Sequence, residues 1–448
     1  MLRLVGTQME TLFDEALPTE ARELPEDLGR LDALLADPAL LEPVERAWEQ
    51  TARDHGRPTI PIAVYLRLMV VKQRTGWGYE TLAKEVSDSL HLRRFCLIAL
   101  SERVPSESTV RKLTRRLGPE VVAEITRAVI GKAKHERRFT ARAARCDSTV
   151  VEADVRYPSD AALAVDATRL LAREARRAGV IVRDRSRAAA KRLRMINRTV
   201  GRRIGQAKPT VLRLTGEAGE LVRRSVRETR RRAAELRQHA RGRDAQAKIS
   251  SSERLTALAE RADKVAAQID KRLAGERIAD RLVSLADPDA RPIRKGKLGR
   301  PNEFGYVFQL CELTPNTRRG ARGLILPPAS AIGAPNECEL LPDTAAELGR
   351  VGLKPREFAL DGGFEPGPTN STLAATATIS ISGRQRPPSP RTAKRLARYR
   401  VGAEGRISHL KRSYGLARTR LRGHAGAKTW VGWSVLAYNL DTLAVQPA

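Results

Sequence analysis

Apolar positions between Ile60 and Leu117 recur at helical intervals. Val64, Leu68 and Val71 predict one helix, which Thr75-Gly76-Trp77-Gly78 interrupts. Leu82, Val86 and Leu90 fall on one face of a second helix, predicted from Tyr79 to Phe95. Pro105 precedes Ser106 and Ser108, both good N-cap residues for a short third helix that stops at Gly118-Pro119. In that helix Val110, Leu113 and Leu117 form an apolar stripe. Arg111, Lys112, Arg115 and Arg116 are left on its other side.

From Ala161 to about Ala290 the chain is rich in Ala, Arg, Leu and Glu and has no strand-like run, as expected of long helices with polar outer faces. This block is predicted to end at Pro288, Pro292 and a loop from Lys295 to Pro301. That loop lacks the G-x-x-x-x-G-K-[ST] spacing of a phosphate cradle, so nucleotide hydrolysis gains no support. Strand-like segments flank the block: Cys146 to Val155, Tyr306 to Leu313, Leu324 to Leu326, Glu357 to Leu360 and Ala375 to Ser382. Helices are predicted from Cys338 to Val351 and from Thr392 to Gly415. Three strands, a helix, two strands and a closing helix make an α/β plan, with the helical block inserted after its first strand.

Charge changes the picture because it is regional. The 448 residues carry 82 Lys and Arg against 52 Asp and Glu, a net charge of +30. Residues 1–57 are acidic, with 6 basic and 13 acidic side chains. Residues 156–290 carry 33 basic and 17 acidic ones, and residues 371–448 carry 14 and 2. One such stretch reads as a solvated helix face; two separated blocks point to a polyanion, of which nucleic acid is the commonest. On that footing the three helices ending in a short basic one suit a helix-turn-helix reader of double-stranded DNA, or else a plain bundle with arginines outside. Aromatic residues make up only 4% of the chain, which argues against stacking platforms for single strands. The four cysteines stand far apart without a Cys-x-x-Cys pair, which excludes a zinc finger and a disulfide framework. No signal-peptide pattern and no apolar run of membrane-spanning length is present, so a soluble, intracellular protein is expected.

Candidate chemistry lies where the predicted strands end. Asp147 stands in a strand otherwise short of charge, and Asp361 where Phe358-Ala359-Leu360 meets Gly362-Gly363. Alone, an Asp at such a turn reads as a capping or turn residue. Glu404 is one of only two acids after residue 370, and it shares a helix face with Arg400 and Lys411. A surface ion pair is the plainer reading of Glu404 with Arg400. A carboxylate in a DNA-attracting region nevertheless repels phosphate unless a cation intervenes. Three carboxylates suit Mg²⁺, with oxygen ligands and bridges to phosphate. Glu152 and Asp154 point to the opposite strand face from Asp147, the histidines form no metal-spaced set, and Cys146 reads as a buried structural thiol. Trp430, Trp433 and Tyr438 are expected to pack a C-terminal helix.

Four segments resemble bacterial insertion-sequence DDE transposases: Asp147 to Pro158, Lys297 to Tyr306, Asp361 to Phe364 and Gly402 to Arg412. The stretch from Arg57 to Gly118 is similar to the N-terminal domain of that family. The resemblance implies a ribonuclease-H-like catalytic core with Asp147, Asp361 and Glu404 as catalytic acids and ligands of Mg²⁺, with Mn²⁺ as a substitute. The family signature Y-x₂-R-x₃-E-x₆-K fits Arg400, Glu404 and Lys411, but Ala397 stands at the Tyr position and Tyr399 is out of register. By the same resemblance Arg400 and Lys411 contact DNA phosphates.

The resulting expectation has four parts: an acidic helical segment over 1–56; a helix-turn-helix-like domain over 57–134; a ribonuclease-H-like domain from 135–160 and 291–448; and a basic helical insertion over 161–290. The expected activity is binding of terminal inverted repeats, Mg²⁺-dependent cleavage and strand transfer into target DNA. A homo-oligomer on DNA, without membrane association, is expected in the bacterial cytoplasm and nucleoid. The rival readings are a catalytically inactive DNA-binding protein of the same fold, a nuclease without strand transfer, and a basic RNA-associated protein.

Overall fold

A computed structural model describes residues 2–6, 16–49, 58–199, 204–297, 300–364, 376–384 and 389–445, together with Leu373, Arg386 and Pro387. Side chains of 295–297, 300, 301 and 204 are outside the description, as are Arg57, Leu298, Gly299 and Ala375, on which parts of the motif and strand assignments above fall. The chain divides into two compact units, Met1–Asp154 with Gly305–Ala448, and Val155–Phe304.

The first unit opens with helices α1 (Thr19–Arg22), α2 (Glu26–Leu35) and α3 (Glu42–Glu49). The strongly apolar α4 (Ile62–Thr75) follows, buried on nearly every side, and Gly76 stops it with a left-handed φ of 71°. The segment read as one helix from Tyr79 to Phe95 is two, α5 (Tyr79–Asp88) and α6 (Leu90–Phe95). Ser89 adopts an extended conformation between them, and its hydroxyl caps the second by accepting from Leu92 N–H. Leu90 is therefore an exposed first-turn residue and not part of the apolar face. Helix α7 (Glu107–His135) begins with Ser106 as N-cap. It kinks at Gly118-Pro119, where the sequence places its stop, and a second helical stretch then runs on to His135. Val110, Leu113 and Leu117 are buried as their spacing predicts.

The sheet of this unit is mixed, in the order β3-β1-β5-β6, with β4 beside β3. Its strands are β1 (Ala143–Glu152), β3 (Arg300–Thr314), β4 (Leu324–Ile325), β5 (Glu357–Leu360) and β6 (Thr378–Ile381). β3 is antiparallel to β1, whereas β5 and β6 run parallel to it. The parallel crossover from β4 to β5 uses α12 (Glu337–Arg350), and α13 (Pro390–Ser413) follows β6. Side chains alternate along β1 and β5. Ala143 and Ala359 pack with Leu396 and Tyr399 of α13 on one face. Ala144, Cys146, Phe358 and Leu360 face the other way, into a core shared with Leu341 and Leu348 of α12 and with the N-terminal helices. The C-terminal helix α14 (Gly423–Val445) is largely buried, with Trp433 edge-on to Tyr65 and Tyr438 fully enclosed. Asn439 receives Ile325 N–H and donates to Ile325 C=O, both at 2.8 Å, and so closes the free edge of β4.

The second unit is a bundle of α8 (Asp160–Arg177), α9 (Ser186–Thr199), α10 (Ile204–Gln238) and α11 (Ala245–Leu273). Small alanines with Leu, Val and Ile fill its core. Strand β2 (Arg291–Lys297) lies beside β3. It is a correction to the loop expected there: Pro292 stands near the start of the strand, a position a proline tolerates.

Candidate active site

Asp147 and Asp361 are brought together by strand register. The last parallel pair between β1 and β5 is Cys146 with Leu360, so the next residue along each, an aspartate in both, projects toward the α13 face: Asp361 just past the carboxyl end of β5, and Asp147 midway along β1, which runs on beside β3 to Glu152. Helix α13 lies on that face and presents Glu404. Its Arg400 guanidinium meets Asp361 at 3.2 Å and Glu404 at 3.1 Å, standing as a counter-cation between the two carboxylates. Burial pushes the Asp147 carboxyl up to about 6. The negative charges of Asp361 and Glu404 add to the shift; the Ser148 N–H that Asp147 accepts at 2.8 Å and the Arg400 charge oppose it. All three predicted acids and Arg400 thus share one electrostatic site. Lys411 lies two turns further along α13 and is half-buried.

A fourth acid belongs to this site and was not singled out in the sequence. Glu337, in the first turn of α12, comes from the opposite face of the sheet. Burial raises its carboxyl to about 7, and the charges of Asp147 and Asp361 push in the same direction. The Asp361-Gly362-Gly363 turn passes so close to Glu337 that a Cβ at Gly363 would overlap its carboxylate. The only sequence signal is an acid at a helix start, and the helix begins at Glu337, one residue before the Cys338 expected from the sequence.

Behind the acids, on the same strands, lies a fully buried ionic cluster. Arg145, two residues before Asp147, donates from Nε and Nη2 to Glu312 Oε2 at 2.8 and 2.6 Å. Its Nη1 bonds Tyr399 C=O and its Nη2 Ala321 C=O, each at 3.0 Å. Arg406, two residues after Glu404, donates from Nε to Glu312 Oε1 at 2.9 Å, where Gly323 N–H also bonds at 3.1 Å. The cluster ties α13 to β1 and β3 beside the residues that carry the acids. A Cβ on Gly402 would overlap Arg145 Nη1, so with alanine here the hydrogen-bonded Arg145 side chain or the helix would have to shift. Tyr399 packs in this region and its hydroxyl bonds Thr314 at 2.6 Å; its role is structural, consistent with its lying out of register in the signature.

The basic residues of α7 divide. Arg111 pairs with Glu107 at 3.5 Å, and the Arg116 guanidinium stacks on the Trp48 ring at 3.4 Å, while Lys112 and Arg115 stand exposed. Cys146 faces Cys311 across the β1–β3 ladder; both are buried free thiols, as are the other described cysteines free. Glu152 pairs with Arg418, and His409 sits against the Tyr414 and Tyr438 rings away from the acids.

The donor set at the strand ends is carboxylate oxygen only, the chemistry that Mg²⁺ and Mn²⁺ prefer. Among the described residues no three acids, histidines or cysteines are close enough together to hold an ion as placed. Arg400 stands between two of the carboxylates.

Comparison with known families bears on both ends of the chain. Residues 18–116 match the model of a Transposase domain (DUF772), and residues 370–444 that of a Transposase DDE domain. The two matches support an insertion-sequence DDE transposase. Transposases of the DDE class act on DNA and generally use divalent metal ions. The second match contains Arg400, Glu404 and Lys411. No curated protein and no solved structure matches the chain. Among the described residues no helix is long and apolar enough to cross a membrane.

Proposed function

We propose that this transposase binds the terminal inverted repeats of its insertion sequence, cuts the strands at the element's ends and joins the freed 3′-hydroxyls to target DNA. The observation that carries this reading is the convergence of Asp147, Asp361 and Glu404, from two adjacent parallel strands and one helix, inside a chain with transposase domain matches toward both ends. On this reading the mixed sheet is a ribonuclease-H-like core, and the helices up to α7 are the reader of the inverted repeats, with Arg111, Lys112, Arg115 and Arg116 toward DNA. An oligomer forms on DNA, because two ends must be held together.

Asp147, Asp361 and Glu404 would hold Mg²⁺, with Mn²⁺ as a substitute, and the Glu337 charge acts on Asp147 and Asp361 from the other face of the sheet. Bound there, divalent ions would supply Lewis acidity toward the scissile phosphate and activate the attacking water or hydroxyl. The chain's own groups do the rest. Desolvation of Asp147 and Glu337 leaves negative charge that a cation would relieve. Arg400 screens the repulsion between Asp361 and Glu404, and with Lys411 further along the same helix it would supply positive charge toward a DNA phosphate. The buried Arg145–Glu312–Arg406 cluster fixes the height of α13 on the sheet.

The test is a duplex carrying the element's end, incubated with Mg²⁺ or with EDTA. Metal-dependent nicking at the end, lost in Glu404→Gln, is the expected result. Nicking that survives Glu404→Gln overturns the site assignment. Tight binding without nicking under any condition supports the inactive binder.

A further inference from the structure

Within the second unit the charge is distributed unevenly. Helices α8, α10 and α11 interleave acids with their bases, and many of their arginines are ion-paired: Arg177 with Glu174 at 2.7 Å, Arg223 with Asp270 at 3.0 Å, Arg230 with Asp263 at 3.0 Å, and Arg213 with Glu217. Helix α9 differs. Its 14 residues include five bases and no acid. Arg192 is paired across to Glu217 on α10 at 3.1 Å. The other four, Arg187, Lys191, Arg194 and Arg198, are exposed, and none has an ion pair or hydrogen bond among the described residues. Their spacing of four, three and four residues places them within about 60° of arc on one helix face. Ala189, the fully buried residue that seats α9, lies on the opposite side.

We propose that this face of α9 is a docking surface for the sugar-phosphate backbone of duplex DNA, engaged without regard to sequence. Four cations along roughly 17 Å of helix oppose a length over which one DNA strand carries about five phosphates. The four residues cannot help α9 fold, since like charges three and four residues apart on a helix repel. A second copy of the same stripe would repel it, which disfavours this face as a dimer contact. Long flexible side chains with no fixed partner suit phosphates, which position a protein without specifying a base. The inference rests on the proposed function only for the identity of the polyanion.

The test uses the full-length protein and a duplex of arbitrary sequence, with affinity measured against salt concentration. Replacing Arg187, Lys191, Arg194 and Arg198 by Gln should lower the log–log salt slope by about 0.9 per lost phosphate contact, or roughly 3.6 in all. The control replaces the paired Arg177, Arg213, Arg223 and Arg230 by Gln. It removes the same charge and should change the slope by less than about 1. Equal loss in both variants reduces the effect to net charge and overturns the proposal. So does an unchanged slope in the α9 variant, or a loss seen with duplex RNA and not with duplex DNA. Melting curves confirm that both variants are folded. If the wild type fails to nick the element's end while the slopes behave as expected, the transposition reading falls and the surface stands. If nicking succeeds and the α9 slope does not move, the reverse holds.

Discussion

Two clusters of arginine and carboxylate share strand β1 and helix α13, only two residues apart on each, and they are built on opposite principles. In the Arg145–Glu312–Arg406 cluster one carboxylate serves two guanidiniums, and backbone groups take up most of the remaining hydrogen bonds. Among the acids, one guanidinium pairs with two carboxylates, Asp361 and Glu404, while two more, Asp147 and Glu337, carry raised pKa values. Burial is tolerable in the first because each guanidinium meets the carboxylate directly and Arg145 spends its remaining donors on backbone carbonyls. In the second it is unfavourable to the protein alone. An arrangement that costs stability and persists is better explained by what it binds than by what it holds up.

The largest expected effect is on stability and separates the two. Glu312→Gln leaves two buried guanidiniums without a counter-charge, and should cost about 3–5 kcal/mol in urea unfolding. Asp147→Asn makes the same chemical change a few ångströms along the sheet. It removes a penalised charge and keeps an acceptor for Ser148 N–H, so stability should stay level or rise while nicking is lost. Similar losses in both variants would dissolve the distinction.

A smaller effect tests how α13 is seated. At Gly402 a methyl group meets Arg145, held in place by several hydrogen bonds, so Gly402→Ala should cost about 1–3 kcal/mol by overpacking, less the helix propensity gained. Gly405, three residues on, has open space at its Cβ position, and Gly405→Ala should gain up to ~1 kcal/mol. The pair should therefore differ in sign, and Gly402→Ala alone should slow nicking by moving Arg400 and Glu404. Equal melting temperatures for the two would show that Arg145 yields without consequence.

How much of this was legible in the sequence follows from how local each feature is. Val110, Leu113 and Leu117 declared their buried face and Ser106 its cap, because each acts within a turn or two of helix; Gly118-Pro119 reads locally as a stop, yet the chain only kinks there and resumes as helix to His135. β5 was read at its observed bounds, Glu357–Leu360, from a short apolar run against a Gly-Gly turn. The three acids stood out because each was anomalous in its own segment, and family resemblance ordered them. Glu337 was not anomalous: its helix contains further acids, and only the crossover from β4 to β5 carries it to Asp147. The Arg145–Glu312–Arg406 cluster was invisible for the same reason, since its partners are 167 and 94 residues apart. Strand β2 was missed because Pro292 and a Lys-Gly-Lys run argue locally against a strand, and pairing with β3 overrides them.

The smallest effect reads the contrast through pH. Glu337 is raised to about 7 in the folded protein from an ordinary value of 4.5, so the native state binds its proton more tightly than the unfolded chain does. Its contribution to stability is thus full below about pH 4.5 and lost as pH rises through about 7. Removing the charge should relieve that loss. In EDTA, Glu337→Gln should melt a few degrees above wild type at pH 8, and the gap should close by pH 4.5. Other carboxylates, such as Glu347 paired with Arg127, are held below their usual range and titrate with the opposite sign, but they are common to both proteins and cancel in the difference. Saturating Mg²⁺ at pH 8 should then favour the wild type, whose extra carboxylate helps offset the ion's charge, and narrow or invert the gap. A difference that ignores both pH and Mg²⁺ would make Glu337 a packing residue of α12, and the excess of negative charge at the strand ends would rest on the three acids alone.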